Sequence, residues 1–324
     1  MSGRDSIFVE APARLHFGVL DLRGSLGRRF GGLGAAIPSP SLLLEAAPAD
    51  GIVARGPDAE RAIEYATRFI AHHRLSRGID MVIHRTIPSH AGLGSGTQLG
   101  LAVARAIAEL NGLPVDPVEL ARAVDRGKRS AIGTWTFAHG GFIVEGGRKI
   151  GSLEIAPLLA RFRIPPAWRC VVAVPPDQRG LSGDAEAKAF EQLPVPSEHD
   201  VERVSHLVLM QLLPALVESD LTSFGLALSA VQRITGAWFA EQQGGTFAAG
   251  ATEQLVRDMA AWGALGVGQS SWGPAAYGLV DTEVAARELA TRVRQSMDVG
   301  GEVFEGGFAP AGAQVWGAAG RRPS

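Results

Sequence analysis

The chain has 324 residues and a mass of 34.0 kDa, more than one minimal domain needs, so about two domains are expected. Hydrophobic residues make up 46% and charged residues 20%, which excludes wholesale disorder. A net charge of -2 and a pI near 6.5 supply no global field for a polyanion and argue against a dedicated nucleic-acid binder. Of the 31 basic residues only Lys128, Lys149 and Lys188 are lysines. The lone cysteine, Cys170, rules out an intramolecular disulfide framework, and its apolar run Trp168 to Val174 reads as a buried strand. Arg4, Asp5 and Glu10 leave no signal-peptide pattern, and no stretch reaches the ~18 consecutive apolar residues of a membrane span. A cytoplasmic chain with no membrane partner is expected.

In chain order, residues 6 to 20 read as a strand entering a loop. Gly24 to Gly34 holds five glycines around the adjacent Arg28 and Arg29, and reads as a loop that is either a flexible turn or a close approach to a ligand. Strands follow at 42–45 and 52–54, a helix at 59–73 with Ile63, Ala66, Phe69 and Ile70 on one stripe, and a strand at 81–84. Leu99, Val103, Ile107 and Leu110 mark the clearest helix, which Asn111-Gly112 stops. Asp116-Pro117 opens the next helix. The composition change at 161–167 divides the chain into 1–164 and 165–324. The second half holds a strand at 169–174, a loop at 177–184, helices over 199–240 and 251–262, a loop at 266–274, a strand at 276–280, a helix at 283–297 and a strand pair near 301–316.

Pro88-Ser-His-Ala-Gly-Leu-Gly-Ser-Gly-Thr97 lies between a strand and that clearest helix. Its glycines let backbone N–H groups converge, the helix N-terminus adds unpaired donors and positive potential, and Ser95 and Thr97 add hydroxyls. This is a ready phosphate site. It lacks the Gly-Lys-Ser/Thr ending of a P-loop and the first-strand setting of a dinucleotide fingerprint.

Three segments carry a family resemblance. Pro12-Ala-Arg-Leu-His-Phe-Gly18, Pro88 to Thr97, and Gly266-Val-Gly-Gln-Ser-Ser-Trp-Gly-Pro274 match, in order and spacing, the three motifs of the GHMP superfamily of small-molecule kinases. The resemblance implies an α+β, GHMP-type two-domain fold: an N-terminal domain with a left-handed βαβ crossover and a C-terminal ferredoxin-like domain, with the site between them. The departures are informative. The stretch Arg129-Ser-Ala-Ile-Gly-Thr-Trp-Thr-Phe137 lacks the aspartate that several of these kinases carry there, and the phosphate loop continues Gly96-Thr97-Gln98. Together with Asp21, Gly31 to Gly34, Gly140-Gly-Phe142 and Arg179-Gly-Leu-Ser-Gly183, these features resemble the β-ribofuranosylaminobenzene 5′-phosphate synthase branch from residue 11 to about 280.

That resemblance implies a decarboxylating transfer from phosphoribosyl diphosphate to 4-aminobenzoate, or to 4-hydroxybenzoate as in some members, within methanopterin biosynthesis. It implies Mg2+ and no ATP; an ATP-dependent kinase of the superfamily is the alternative, and a non-catalytic binding protein a third reading. The phosphate falls to Gly92, Gly94, Ser95, Gly96 and Thr97, with Arg29 beside them. Arg28 is expected on the diphosphate or the benzoate carboxylate. Asp21 either faces the sugar cation or its Mg2+, or caps the turn at Gly24. Arg14, His16, His90, Arg129, Arg179, Ser182, Gln269, Ser270 and Trp272 complete the expected substrate contacts. Metal ligands are left unassigned, His72 and His73 are read as facing solvent, and a homodimer is expected.

Overall fold

The computed structural model describes residues 6–176, 180, 188–297 and 299–317. Arg179 and Ser182 lie outside the described residues.

The first strand sets the frame. In β1 (Ile7–Asp21), Val9, Ala11, Ala13, Leu15, Phe17 and Val19 are all buried, so a period of two turns every odd side chain into the core. The even positions Arg14, His16 and Gly18 emerge on the opposite face. β1 pairs antiparallel with β2 (Arg28–Ala49) along nearly its whole length. The expected loop from Gly24 to Gly34 is therefore short, and Arg28 to Gly34 belongs to β2, where Arg28 and Arg29 pair with Lys149 and Arg148 of β6 (Arg148–Lys149). The glycines there serve close packing. A Cβ on Gly34 would lie 2.5 Å from the Leu15 carbonyl oxygen and closer still to the Ile132 side chain.

β3 (Ile52–Arg55), α1 (Ala59–His73) and β4 (Gly78–Arg85) form a βαβ unit with the two strands parallel. On α1, Ala62, Tyr65, Ala66 and Phe69 are buried. His73 is half-buried against Phe69, with ring centroids 4.5 Å apart, so it does not simply face solvent. α2 (Ser95–Leu110) buries Leu99, Leu101, Val103, Ala104 and Ile107, residues spread around its circumference, so it runs through the interior. Each fully buried aliphatic side chain of this kind contributes about 1.5–3 kcal/mol. α3 (Pro117–Ala123) begins as expected, with the Asp116 carboxylate accepting the Glu119 N–H at 2.9 Å. Residues 132–139 form a further helix, α4 (Ile132–His139), unannounced by the sequence because its glycine and aromatic residues carry no helical period. β5 (Phe142–Glu145) pairs with β2 and with β7 (Leu158–Phe162).

The second half opens with β8 (Arg169–Val174), which holds the buried Cys170, as expected of a core residue. The helices α5 (Glu198–Leu207), α6 (Leu213–Glu218), α7 (Leu221–Trp238), α8 (Ala240–Gln243) and α9 (Ala251–Ala261) follow, a π-helical turn at Val208–Leu212 joining the first two. β9 (Gly266–Gln269), β10 (Ala276–Val280), α10 (Glu283–Ser296) and β11 (Glu302–Gly306) complete an antiparallel sheet ordered β11-β8-β10-β9. Numbered within this half, that order is 4-1-3-2, the ferredoxin-like arrangement. Gly266 to Gln269, expected in a loop, is thus a strand. The last strand, β12 (Gln314–Gly317), crosses back to pair with β1, so the two strands expected as a pair near 301–316 lie in different sheets.

One hydrophobic core runs from β1, β2, α1 and α2 through Trp168, Phe224, Val231 and Tyr277 of the second half, and a smaller one lies between the second sheet and α9 and α10. Gly34→Ala is expected to cost about 1–3 kcal/mol through overpacking. Gly51→Ala, with open space around its Cβ, should stay within about 0.5 kcal/mol of wild type. Urea unfolding of the two variants checks the difference.

Candidate functional site

A cavity of about 730 Å³ opens where the two halves meet. Its lining joins the even face of β1 (Arg14, His16, Gly18), the loop and first turn of α2 (Gly92, Gly94 to Thr97), the 125–130 turn, α7 and the 269–273 loop. Among the described residues, five cations, Arg14, Arg61, Arg126, Lys128 and Arg129, line it against one carboxylate, Asp125, which pairs with Lys128 at 2.6 Å. The balance favours a polyanion, although the whole chain carries a net charge of -2.

The start of α2 is the focus of that charge. Gly94 is its N-cap in a left-handed conformation (φ 84°), with no side-chain cap and no acid in the first turn. The first amides of the helix are left for a ligand, and the dipole favours negative charge there. Two guanidinium groups flank them: a Cβ on Gly96 would lie 2.5 Å from Arg61 Nη2 and 2.6 Å from Arg126 Nη2. Arg61 is aimed by Asp58 at 3.0 Å and Ser89 at 3.2 Å, and Arg126 by the Tyr65 hydroxyl and ring. Neither arginine was singled out in the sequence, because Arg61 lies on the distant α1 and only tertiary packing brings it to this helix. Arg14 donates to the Gly92 carbonyl, holding the loop on β1.

The expected residues separate into two groups. Arg14, His16, His90, Gly92, Gly94, Ser95, Gly96, Thr97, Arg129, Gln269 and Trp272 all line the cavity. Asp21, Arg28, Arg29 and Ser270 are not among the lining residues. Asp21 Oδ1 accepts the N–H groups of Arg23 at 2.7 Å and Gly24 at 2.8 Å, closing the turn. Arg28 donates to the carbonyls of Gly146 and Gly147, and Arg29 to that of Leu22. The Ser270 hydroxyl, fully buried, accepts from His16 N–H at 3.0 Å and donates to Gly92 O at 2.6 Å. Gln98, one of the departures from the kinase loop, is buried and donates to the Gly133 carbonyl at 3.0 Å, tying α2 to α4.

The same lining holds a cluster of aromatic rings. Trp272 meets Phe239 and Phe190 edge-on at 4.8 and 5.3 Å, Phe190 meets Phe30 at 5.8 Å, and the Arg129 guanidinium lies 5.1 Å from the Phe190 ring centre. Such a cluster suits a flat ring, with a cation at its edge. The Ser95 and Thr97 hydroxyls and the Asp125 carboxylate are among the oxygen donors of the lining. His72, His73 and Glu119 bring donor atoms within 4.8 Å of one another, but none of the three lines the cavity.

His16 is buried, and its protonation is legible from its partners. Its Nδ1 accepts the Gly18 N–H at 3.3 Å, so the proton resides on Nε2, 3.2 Å from Ser130 Oγ. Burial first, then the charge of Arg14, holds its pKa down at about 3, so the ring is neutral. Behind Ser130 lies Glu145, fully buried, with Oε1 accepting the Ala131 N–H at 3.2 Å. Burial pushes its pKa up to about 7, against hydrogen bonds from Ala131, Ser130 and Gly147. No sequence signal marked this residue, which ends an apolar strand.

The two groups tilt stability in opposite directions. His16 binds its proton less tightly folded than unfolded, so its contribution is lost as pH falls below 6.5. Glu145 binds its proton more tightly folded, so its contribution is full below pH 4.5 and is lost as pH rises through 7. Each slope is at most about 1.4 kcal/mol per pH unit. Between pH 4.5 and 6.5, relative to wild type, His16→Gln should gain stability toward acid and Glu145→Gln should lose it; urea unfolding across this range checks both signs.

The GHMP kinases N terminal domain family matches residues 59–141, which include the phosphate loop and the start of α2. Among solved structures, homoserine kinase from Cytophaga hutchinsonii superposes with a TM-score of 0.69 at 18% identity, over 98% of this chain and 99% of that one. The ferredoxin-like second sheet and the βαβ unit are thus parts of the GHMP kinase fold. Among the described residues, no helix is long and apolar enough to cross a membrane. The β-ribofuranosylphenol 5′-phosphate synthase of Methanothermobacter thermautotrophicus is 34% identical over 323 residues, covering 93% of this chain and 96% of its own. The synthase of the same name from Archaeoglobus fulgidus is 35% identical over 297 residues, covering 88% and 91%. A kinase fold whose lining offers one ion-paired carboxylate, together with these full-length relatives, places the chain among enzymes: it belongs to the β-ribofuranosylphenol 5′-phosphate synthase family.

Proposed function

We propose that the cavity binds phosphoribosyl diphosphate and a benzoate carrying an electron-donating para group, and joins them with loss of CO2 and diphosphate in tetrahydromethanopterin biosynthesis. One observation carries this reading: a single cavity is lined both by an uncapped helix N-terminus between two guanidinium groups and by a cluster of aromatic rings. The first feature suits a phosphorylated sugar, the second an arene. Both 4-aminobenzoate and 4-hydroxybenzoate meet the electronic demand, and the relatives' name, which ends in phenol, favours the hydroxyl acceptor.

The chemistry needs orientation and charge more than a base. As the C1–O bond to diphosphate breaks, positive charge grows on the sugar and negative charge on the leaving group. The para substituent pushes electrons to the ring carbon that bears the carboxylate, which bonds to C1. The C–CO2 bond then breaks and its electron pair restores the aromatic ring, so no base has to remove a ring proton. Arg61, Arg126 and the α2 amides stabilise the departing or retained phosphates. Trp272, Phe239 and Phe190 hold the arene, and Arg129 at their edge is positioned for its carboxylate. Neutral His16 brings no added positive charge near the sugar cation.

Mg2+ fits as an ion carried in by the diphosphate. The Ser95 and Thr97 hydroxyls and Asp125 are hard oxygen donors of the right kind, but too few to make a resident cage. Bound there, it would neutralise charge on the leaving group. The reading requires no ATP. A kinase reading would need a carboxylate to act on a substrate hydroxyl, and among the described lining residues Asp125, an exposed partner of Lys128, is the one carboxylate.

Purified protein with Mg2+, phosphoribosyl diphosphate and carboxyl-labelled 4-hydroxybenzoate or 4-aminobenzoate is expected to release labelled CO2 in step with diphosphate, equally with and without ATP. Absence of CO2 release with either acid would reject the reading. Arg126→Gln should raise the KM for phosphoribosyl diphosphate roughly 10- to 100-fold, the loss of one charge-assisted contact of about 1.5–3 kcal/mol, and leave the KM for the benzoate within about twofold. Steady-state kinetics with each substrate varied separately test that split.

A further inference from the structure

Glu145 is the buried carboxyl nearest the cavity that the reaction above leaves unused. It ends β5 opposite Gly32 of β2, at a point where a Cβ on Gly32 would lie 3.3 Å from Glu145 Oε1 and 3.4 Å from His16 Nε2. Its hydrogen bonds run in one direction. His16 Nε2–H donates to Ser130 Oγ at 3.2 Å, the Ser130 hydroxyl donates to the Glu145 carboxyl, and the Ala131 N–H donates to Oε1. With Ile132 N–H also on Ser130 Oγ at 3.3 Å, the serine has used its one proton and both lone pairs. Oε2 is buried and has no partner among the described residues, so it is where a proton on this carboxyl would reside.

We propose that Glu145 is a positioning residue that takes up a proton when an oxyanion fills the cavity, releasing the Ser130 hydroxyl to donate to that oxyanion. While the carboxyl is ionised it holds the Ser130 proton, and the hydroxyl has nothing to offer a ligand. An oxyanion beside Ser130 brings a second negative charge close to a desolvated carboxylate, which raises that carboxyl's proton affinity. Once Oε2 carries the proton, Ser130 can turn its own proton to the cavity, which it lines. The proton comes from solvent and no bond other than O–H changes.

The surroundings support the assignment. Burial is the largest influence on Glu145 and leaves it titrating at about pH 7. Arg14 on β1, Arg28 and Arg29 on β2, Arg126, Lys128 and Arg129 in the adjoining turn, Arg148 and Lys149 on β6 and Arg161 on β7 are the cations of the flanking elements, with His139 ending α4, and none of them is among the groups that set its titration. His16 stays neutral across the working range. His90 at the cavity rim is the other lining side chain of a type that titrates near neutrality, so the test must separate it.

The proposal rests on the cavity being an oxyanion site, and the experiment distinguishes the two. Sulfate, which does not titrate above pH 3, is bound to wild-type enzyme by calorimetry at pH 7 in two buffers of different ionisation heat. Uptake of roughly half a proton per sulfate is expected, as for a group half-protonated before binding and fully protonated after. Glu145→Gln should bind sulfate with proton uptake near zero, and His90→Gln should keep the wild-type uptake. Binding without uptake in wild type, or uptake that survives Glu145→Gln and disappears in His90→Gln, overturns the role of Glu145 and leaves the anion site standing. Failure of both sulfate and inorganic diphosphate to bind wild type overturns the site itself and the proposal with it. The pH dependence of wild-type uptake, expected to fall away by pH 5 where Glu145 is already protonated, repeats the test without a substitution.

Discussion

The Ser270 hydroxyl joins three segments that the chain keeps far apart. It accepts the His16 N–H of β1, 254 residues away, and donates to the Gly92 carbonyl of the phosphate loop, 178 residues away. Without it the buried His16 N–H would lose its partner, at a cost of about 1–3 kcal/mol, and the Gly92 carbonyl would keep only Arg14. Gln232 of α7 repeats the device alongside, donating to Phe17 O at 2.7 Å and accepting from Gln269 N at 2.9 Å. Together they hold the second sheet to the even face of β1, and the cavity is the space this junction leaves. Gly92 is required here: it has φ +75°, and any Cβ would collide with the Ser270 carbonyl.

The chemistry of the cavity follows from what that junction excludes. At the start of α2 the chain places uncapped amides beside the Arg61 and Arg126 guanidinium groups. The same lining holds Trp272, Phe239, Phe190 and Phe30, an apolar surface unsuited to a hydroxyl nucleophile and suited to a ring. Where related folds could place a free carboxylate, this one has α4 packed so tightly that a Cβ on Gly133 would lie 2.9 Å from Thr97 Cγ2. The carboxyl that is nearby, Glu145, lies behind Ser130, fully buried, where burial raises its proton affinity. Neutral His16 lies between the two, its proton assigned by the Gly18 amide.

Local sequence and tertiary structure disagree most at the glycines. Gly24 to Gly34 reads as a loop because glycine is the usual residue of turns, yet most of the segment is strand, and its glycines make room for Ile132, Glu145 and the Leu15 carbonyl. Moving Arg28 and Arg29 into β2 gives their guanidinium groups backbone carbonyls as partners. Asp21, legible from sequence either as a site carboxylate or as a turn cap, has its Oδ1 on two amides of that turn. Arg61 and Arg126 escaped notice for the opposite reason: nothing in a surface helix such as α1 distinguishes an arginine aimed at solvent from one held by Asp58 against another helix.

The sequence by itself determined the strand that opens the chain, the helix α2 with its stop at Asn111-Gly112, and the family, because these depend on local period and on motif order along the chain. Motif order also carried the ferredoxin-like second half, through resemblance and not through any pattern in its strands. Only the tertiary structure decided which cations surround the start of α2, that the Ser270 hydroxyl clamps β1 to the Gly92 loop, and that a carboxyl is buried behind Ser130. Those outcomes depend on distances between segments up to 254 residues apart and on the exclusion of water from the space between them. A linear pattern of side chains encodes neither.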